Sequence, residues 1–80
     1  MILDHLNHPI YERTIVRQRN SKPEFMVTAI QKIPYQLDTI CSVIRIHSMK
    51  NTDTLLLYYV MDKHQSIRLL DTFGNEWESV

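Results

Sequence analysis

One glycine in 80 residues removes whole classes of chemistry. G-x-G-x-x-G and P-loop turns need several glycines to bring backbone amides against a phosphate, so Gly74 alone excludes the nucleotide-cradling loops. The same scarcity predicts few tight turns of the positive-φ kind, and loops that are longer, polar and of type I. A single cysteine, Cys41, excludes an internal disulfide and agrees with a reducing compartment. No apolar run approaches the roughly 20 residues of a membrane helix. The start, MILDHLNHPIYER, lacks a basic segment followed by an apolar one, so neither a secretory signal nor a membrane partner is expected and the reading is cytoplasmic. Neither sign of charge is in excess: nine Lys and Arg face nine Asp and Glu.

What is present is the composition of a folded chain, 44% hydrophobic and 22% charged, and the length predicts a single small domain over residues 1–80. The charges are segregated. Residues 1–50 carry seven basic and four acidic side chains, and residues 51–80 carry two basic and five acidic. Such polarity favours head-to-tail association or steering toward a charged partner, or is simply solvated.

Thr54 to Met61, TLLLYYVM, is the strongest signal. As a strand it sends Leu55, Leu57, Tyr59 and Met61 one way and Leu56, Tyr58 and Val60 the other, so both faces need a cover. A chain this short buries only roughly 60% of its unfolded surface. Part of the surface is therefore expected to meet another chain, most simply a second copy in a homodimer.

Upstream, Ser21 to Ile33 reads as a helix. Ser21 and Glu24 form an S-x-x-E capping box, Pro23 suits the first turn, and Phe25, Met26, Ala29, Ile30 and Ile33 share one helical face, ending at Pro34. Residues 9–20 fit either a second helix or an edge strand through Thr14-Ile15-Val16, with helix preferred. From Thr39 to Ser48 the pattern is that of a strand with Ile40, Ser42, Ile44 and Ile46 on its drier face. TLLLYYVM, Ser66 to Asp71 and Asn75 to Val80 follow as further strands. Turns are expected at Met49 to Asp53, Asp62 to Gln65 and Thr72 to Asn75. The expected fold is α+β, with one or two N-terminal helices packed on an antiparallel meander of three to four strands. A helix followed by three or four antiparallel strands, with L-L-Y-Y-V and I-R-L-L-D in succession, resembles the layout of RelE-like ribonuclease toxins. Those toxins are strongly basic and this chain is neutral, so the resemblance is one of layout and carries no residue over.

Catalytic chemistry finds no foothold. His5 and His8 stand in an H-x-x-H pair beside Asp4, but a zinc site wants three or four ligands, and His47, His64 and Cys41 lie on other elements. Cys41 sits in an apolar strand beside Val43, where a small buried hydrophobe is expected rather than a thiolate nucleophile served by His47 or His64. Glu76 and Glu78 read as solvent-facing residues of a terminal strand. No metal, cofactor or enzymatic activity is expected.

Two binding readings remain. The first is a non-enzymatic adaptor, inhibitor or regulator that presents an apolar sheet face to a protein, with Tyr58, Tyr59, Trp77, Leu56 and Val60 as interface residues. These are interface positions unless the N-terminal 20 residues fold over the second face and make the aromatics core. Small chains of this kind are frequent in phages and other mobile elements. The second is a nucleic-acid-binding protein or RelE-like RNA-binding module using Arg13, Arg17, Arg19 and Lys22, although Tyr58, Tyr59, Phe73 and Trp77 lie far from that cluster in sequence.

Overall fold

The computed structural model describes residues 1–37, 40–61, 64 and 66–80, and of 34–37 the backbone only. Its elements are β1 (Ile2–Leu3), β2 (Pro9–Ile10), β3 (Ile15–Gln18), β4 (Glu24–Leu37), β5 (Ile40–Ser48), β6 (Thr54–Met61), β7 (Ile67–Asp71) and β8 (Trp77–Ser79). Strands β1 and β2 form a hairpin, and the rest form a six-stranded antiparallel sheet in the order β7-β6-β5-β4-β3-β8. The outer strands β7 and β8 meet through the turn between them and a bridge from Leu70 to Glu76. The sheet thus curls into a partly closed barrel, which limits the open edge that a flat meander would expose.

The α+β expectation is corrected: the described residues contain no helix, and with it goes the layout resemblance to RelE-like toxins. The segment 21–33 belongs to β4, and its helical spacing has a specific cause. Val27 pairs with Ile46 and Ala29 with Arg45, leaving Thr28 as an extra residue in a β-bulge. A bulge shifts the side-chain phase by one. Phe25 and Val27 face inward before it; Ile30, opposite the fully buried Ile44, faces inward after it. Inward residues at i, i+2 and i+5, with Met26 and Ala29 on the outside, imitate an amphipathic helix. Ser21 caps nothing. Its amide closes a turn onto the carbonyl of Gln18 at 2.9 Å, and Glu24 pairs across strands with Arg17.

Residues 9–20 are likewise strands and turns, because their β-branched run pairs with β4 and β8 on either side, Ile15 opposite Met26 and Val16 opposite Ser79. The expectation of few positive-φ turns is also corrected. Asn7 (φ 64°), Arg13 (φ 74°) and Asn20 (φ 66°) all adopt the left-handed region beside Gly74 (φ 85°). Asparagine tolerates this conformation; Arg13 does so at a cost.

From Ser42 onward β5 follows the expected pattern, with Ser42, Ile44, Ile46 and Ser48 buried in alternation. A register shift before Ser42 sets Ile40 opposite Val60 instead of on that face, and Glu78, expected to face solvent, is buried. The turn at 49–53 is present, Ser48 N–H donating to the carbonyl of Asp53 at 2.9 Å. Of the turn expected at 62–65, only His64 lies within the described residues. The core inside the barrel consists of Val16, Val27, Ile44, Ile46, Leu57 and Leu69, closed at one end by Ile2 and Ile10 of the hairpin and joined by Tyr59 and Trp77.

Candidate functional site

Strand β6 decides which apolar residues the fold consumes. Leu57 is fully buried and Tyr59 is 7% exposed, and the Tyr59 hydroxyl accepts a hydrogen bond from Leu3 N–H at 3.1 Å. The N-terminal hairpin therefore covers the inner face. Leu56, Tyr58 and Val60 point the other way by strand alternation. Leu56 lies opposite Arg45, Tyr58 lies between Val43 and Leu70, and Val60 lies opposite Arg68. No described element packs over this outer row; Leu56 is 39% exposed and lines a shallow depression with Ala29, Gln31, Val43 and Arg45. No described carboxylate pairs with Arg45. Arg68 reaches Glu76 at 3.8 Å, while Arg19 holds the same carboxylate at 3.0 Å. The outer face is thus an apolar row flanked by two guanidinium groups.

Of the aromatics singled out from sequence, Tyr58 stands on that row and Tyr59 is core. Trp77 is also core: its ring packs edge-on against Phe25, with centroids 5.2 Å apart and planes at 82°. Its indole N–H donates to Asp71 Oδ2 at 3.0 Å. A tryptophan so held is a structural anchor with its polar edge satisfied.

The basic cluster is divided. Arg17 Nε donates to Glu78 Oε2 at 2.8 Å and Arg19 donates to Glu76 Oε1 at 3.0 Å. Glu78 is 7% exposed and also meets His5 Nε2 at 2.8 Å. Hydrogen bonds from His5 and Arg17 hold its carboxyl below the usual glutamate value despite burial. The charge polarity of the chain is therefore largely used internally, the basic β3 lying beside the acidic β8. Arg13 and Lys22 are exposed in the turns at either end of β3.

Sequence reasoning missed the buried carboxylates. Asp4 is 5% exposed and accepts from the amides of Leu6, His8 and Ser79 at 2.9, 2.8 and 2.8 Å. Burial raises its carboxyl, but the amides of Ser79, His8 and Leu6 and the charge of His8 outweigh burial and leave it below the usual aspartate value. Asp71 behaves alike: burial raises it, and hydrogen bonds from Trp77, Asn75 and Phe73 more than reverse the effect. A visible signal existed in Asp4-x-x-Asn7 and Asp71-x-x-Gly74, aspartates three residues before a residue suited to positive φ.

His47 Nδ1 lies 3.2 Å from Thr54 Oγ1, and Cys41 is half-buried against the core. Among the described residues no group of three or more His, Cys, Asp or Glu could hold a metal ion. No helix long and apolar enough to cross a membrane is found among them, a statement that does not bear on strands. Set against family models, curated proteins and solved structures, the chain matches none of them.

Proposed function

We propose that this chain is a small cytoplasmic, non-enzymatic regulator, adaptor or inhibitor that binds a partner protein through the outer face of β4 to β7. The observation that carries this reading is the Leu56-Tyr58-Val60 row. It is apolar and extended by Val43 and Leu70, with Leu56 exposed and the others half-buried, in a chain whose core is already complete on the other side of the same strand. Apolar surface gathered in one patch is the usual mark of a protein-binding site. Arg45, with no described carboxylate beside it, and Arg68, which shares Glu76 with Arg19, leave the patch bordered by net positive charge, which favours a different protein over a second copy of the same face. Self-association, expected from the sequence, belongs instead to the β7 edge, where Ile67 is 45% exposed. Light scattering at tens of micromolar, with Ile67→Lys as the comparison, reads it. A nucleic-acid role for Arg13, Arg17, Arg19 and Lys22 has weaker support, since two of the four positive groups are neutralised by Glu78 and Glu76.

The test is affinity capture from the native host using wild type, a Leu56→Asp/Val60→Asp variant, and an Arg13→Glu/Lys22→Glu variant, each shown folded by circular dichroism. A co-purifying protein lost with the first variant and retained with the second is the expected result. Capture unaffected by the β6 substitutions, or capture of nucleic acid abolished by the Arg13 and Lys22 substitutions, overturns the reading.

A further inference from the structure

A second concave surface lies on the opposite side of the wall formed by β4 to β6, where the N-terminal hairpin meets Ile30 and Lys32 of β4 and Cys41 and Ser42 of β5. It is an open groove of about 510 Å³, within the range of roughly 300–1,000 Å³ found for small-ligand sites. Its walls are chiefly apolar, formed by Ile2, Ile10 and Ile30 together with the ring of Tyr59. Its polar groups are ordered. Lys32 pairs with Ser42, and Ser42 with Tyr59, in one cross-strand row that faces inward once the bulge at Thr28 has shifted the phase of β4.

Lys32 and Ser42 sit opposite each other on strands about 4.8 Å apart and both line the groove, and the long, exposed Lys32 side chain can swing to a small anionic group held at Ser42. The Tyr59 hydroxyl accepts from Leu3 N–H and keeps its own proton to donate. Ser42 is 7% exposed, and no described residue hydrogen-bonds its side chain. No described carboxylate pairs with Lys32. Among the described residues that line it, the groove thus offers donors and one positive charge at its polar end, with no acidic side chain, and an aliphatic wall beyond.

We propose that this groove binds a small monocarboxylate with an apolar body, its carboxylate held by Lys32 and Ser42 and its hydrocarbon lying against Ile30, Ile10 and Ile2. Charge-assisted hydrogen bonds from an ammonium and a hydroxyl fix the head group. Removal of aliphatic surface from water supplies the rest of the affinity. A phosphate or other multiply charged anion is disfavoured because one lysine faces it and the remaining wall cannot solvate further charge.

Octanoate and 1-octanol, which share a chain and differ in the head group, are the probes, titrated below micelle formation and followed by calorimetry and amide chemical shifts. Octanoate is expected to bind at least tenfold more tightly than 1-octanol, the difference made by one charge-assisted contact. Shift changes should be centred on residues 30–32 and 41–42. Lys32→Gln, at an exposed position and so compatible with folding, should abolish the preference for octanoate, and Ser42→Ala should weaken octanoate binding while sparing 1-octanol. Absence of octanoate binding, equal affinity for the two probes, a preference surviving Lys32→Gln, or shifts centred on Leu56, Tyr58 and Val60 overturns the proposal.

Discussion

Asp4 and Asp71 build the same turn at two places in the chain. Each accepts the amides of residues two and four positions on through one carboxylate oxygen. Each closes a three-residue hairpin loop with paired backbone hydrogen bonds, Asp4 with His8 and Asn7, Asp71 with Asn75 and Gly74. In both, the last loop residue is left-handed, Asn7 at φ 64° and Gly74 at φ 85°, as three-residue hairpins require. The second carboxylate oxygen then reaches β8, at Ser79 N–H from Asp4 and at the Trp77 indole from Asp71. The last strand is consequently fastened to both turns, one at each of its ends.

Asp4→Ala should be the more damaging of the two alanine substitutions. It strands three amide donors around a buried site, and hydrogen bonds to a charged group contribute roughly 1.5–3 kcal/mol each without full additivity, so a loss of about 3–5 kcal/mol is expected. Asp71 is less buried and its turn is solvated, so Asp71→Ala should cost about 1–3 kcal/mol. Urea melts with Trp77 fluorescence measure both. Equal losses would show that the Asp4–Ser79 link does not hold the N-terminal hairpin to the barrel.

The same carboxylates set the acid limit of stability. Asp4, Asp71 and Glu78 are all held below their ordinary values of 3.8, 3.8 and 4.5. In the window between the folded and unfolded values, the unfolded chain binds more protons, so stability rises with pH. Their contribution is complete above about pH 5 and is lost as pH falls through the folded values. Thermal melts from pH 7 down to pH 2.5 should show the midpoint falling chiefly below the ordinary carboxylate range, with a shallower fall in Asp71→Asn. A midpoint that rises on acidification in this range contradicts the assignment.

The strands from Ser42 to Asp71 were legible because their apolar periodicity is unbroken: Ser42, Ile44 and Ile46 alternate inward without a bulge between them, the register shift of β5 against β6 lying before them, between Ile40 and Ser42. The first half was not, because two local devices disguise it. Thr28 shifts the phase of β4 within a single strand, turning a period of two into a spacing that a helix also satisfies. Pairing of β3 with β8 then joins segments from opposite ends of the chain, and no local pattern in residues 9–20 announces a partner at 77–79. The outer row of Leu56, Tyr58 and Val60 was legible as one of two apolar faces. Which face the fold would cover depended on the N-terminal hairpin seating Ile2 and Ile10 beside Tyr59. The Lys32-Ser42-Tyr59 row depends on register across three strands and on the bulge, neither of which is written in any one segment.

Arg13 offers a test of the backbone alone. Its φ of 74° is strained for a residue with a side chain, and its amide is held by the carbonyl of Val27 at 2.7 Å, so the turn cannot relax without losing a bond across to β4. Left-handed strain of roughly 1–2 kcal/mol is offset in Arg13→Gly by an unfolded-state entropy cost of about 0.4–1 kcal/mol. The net change should be neutral to about 1 kcal/mol stabilising, whereas Arg13→Val should be destabilising by more than about 1 kcal/mol. Denaturant melts of the two variants decide it; a glycine variant weaker than the valine variant would refute the turn geometry.

The Arg17–Glu78 pair separates a structural use of the basic segment from a nucleic-acid use. Glu78 is nearly buried between Arg17 and His5, so removing one partner leaves a carboxylate or a guanidinium without its counter-charge. A double-mutant cycle with Arg17→Gln and Glu78→Gln should return a coupling of about 0.5–3 kcal/mol, the range for residues in direct hydrogen-bonded contact. Exposed pairs contribute less, roughly 0.2–1 kcal/mol, which is the expectation for Arg19–Glu76 at the more open end of the same strands. Raising salt should weaken the Arg19 coupling more than the Arg17 coupling, because screening acts on exposed charges first. Were Arg17 instead a phosphate contact with no structural duty, its coupling to Glu78 would vanish, and Glu78→Gln would strengthen nucleic-acid binding by releasing the guanidinium. Near-zero coupling together with tighter nucleic-acid binding in Glu78→Gln is the combination that would return the basic segment to a nucleic-acid role.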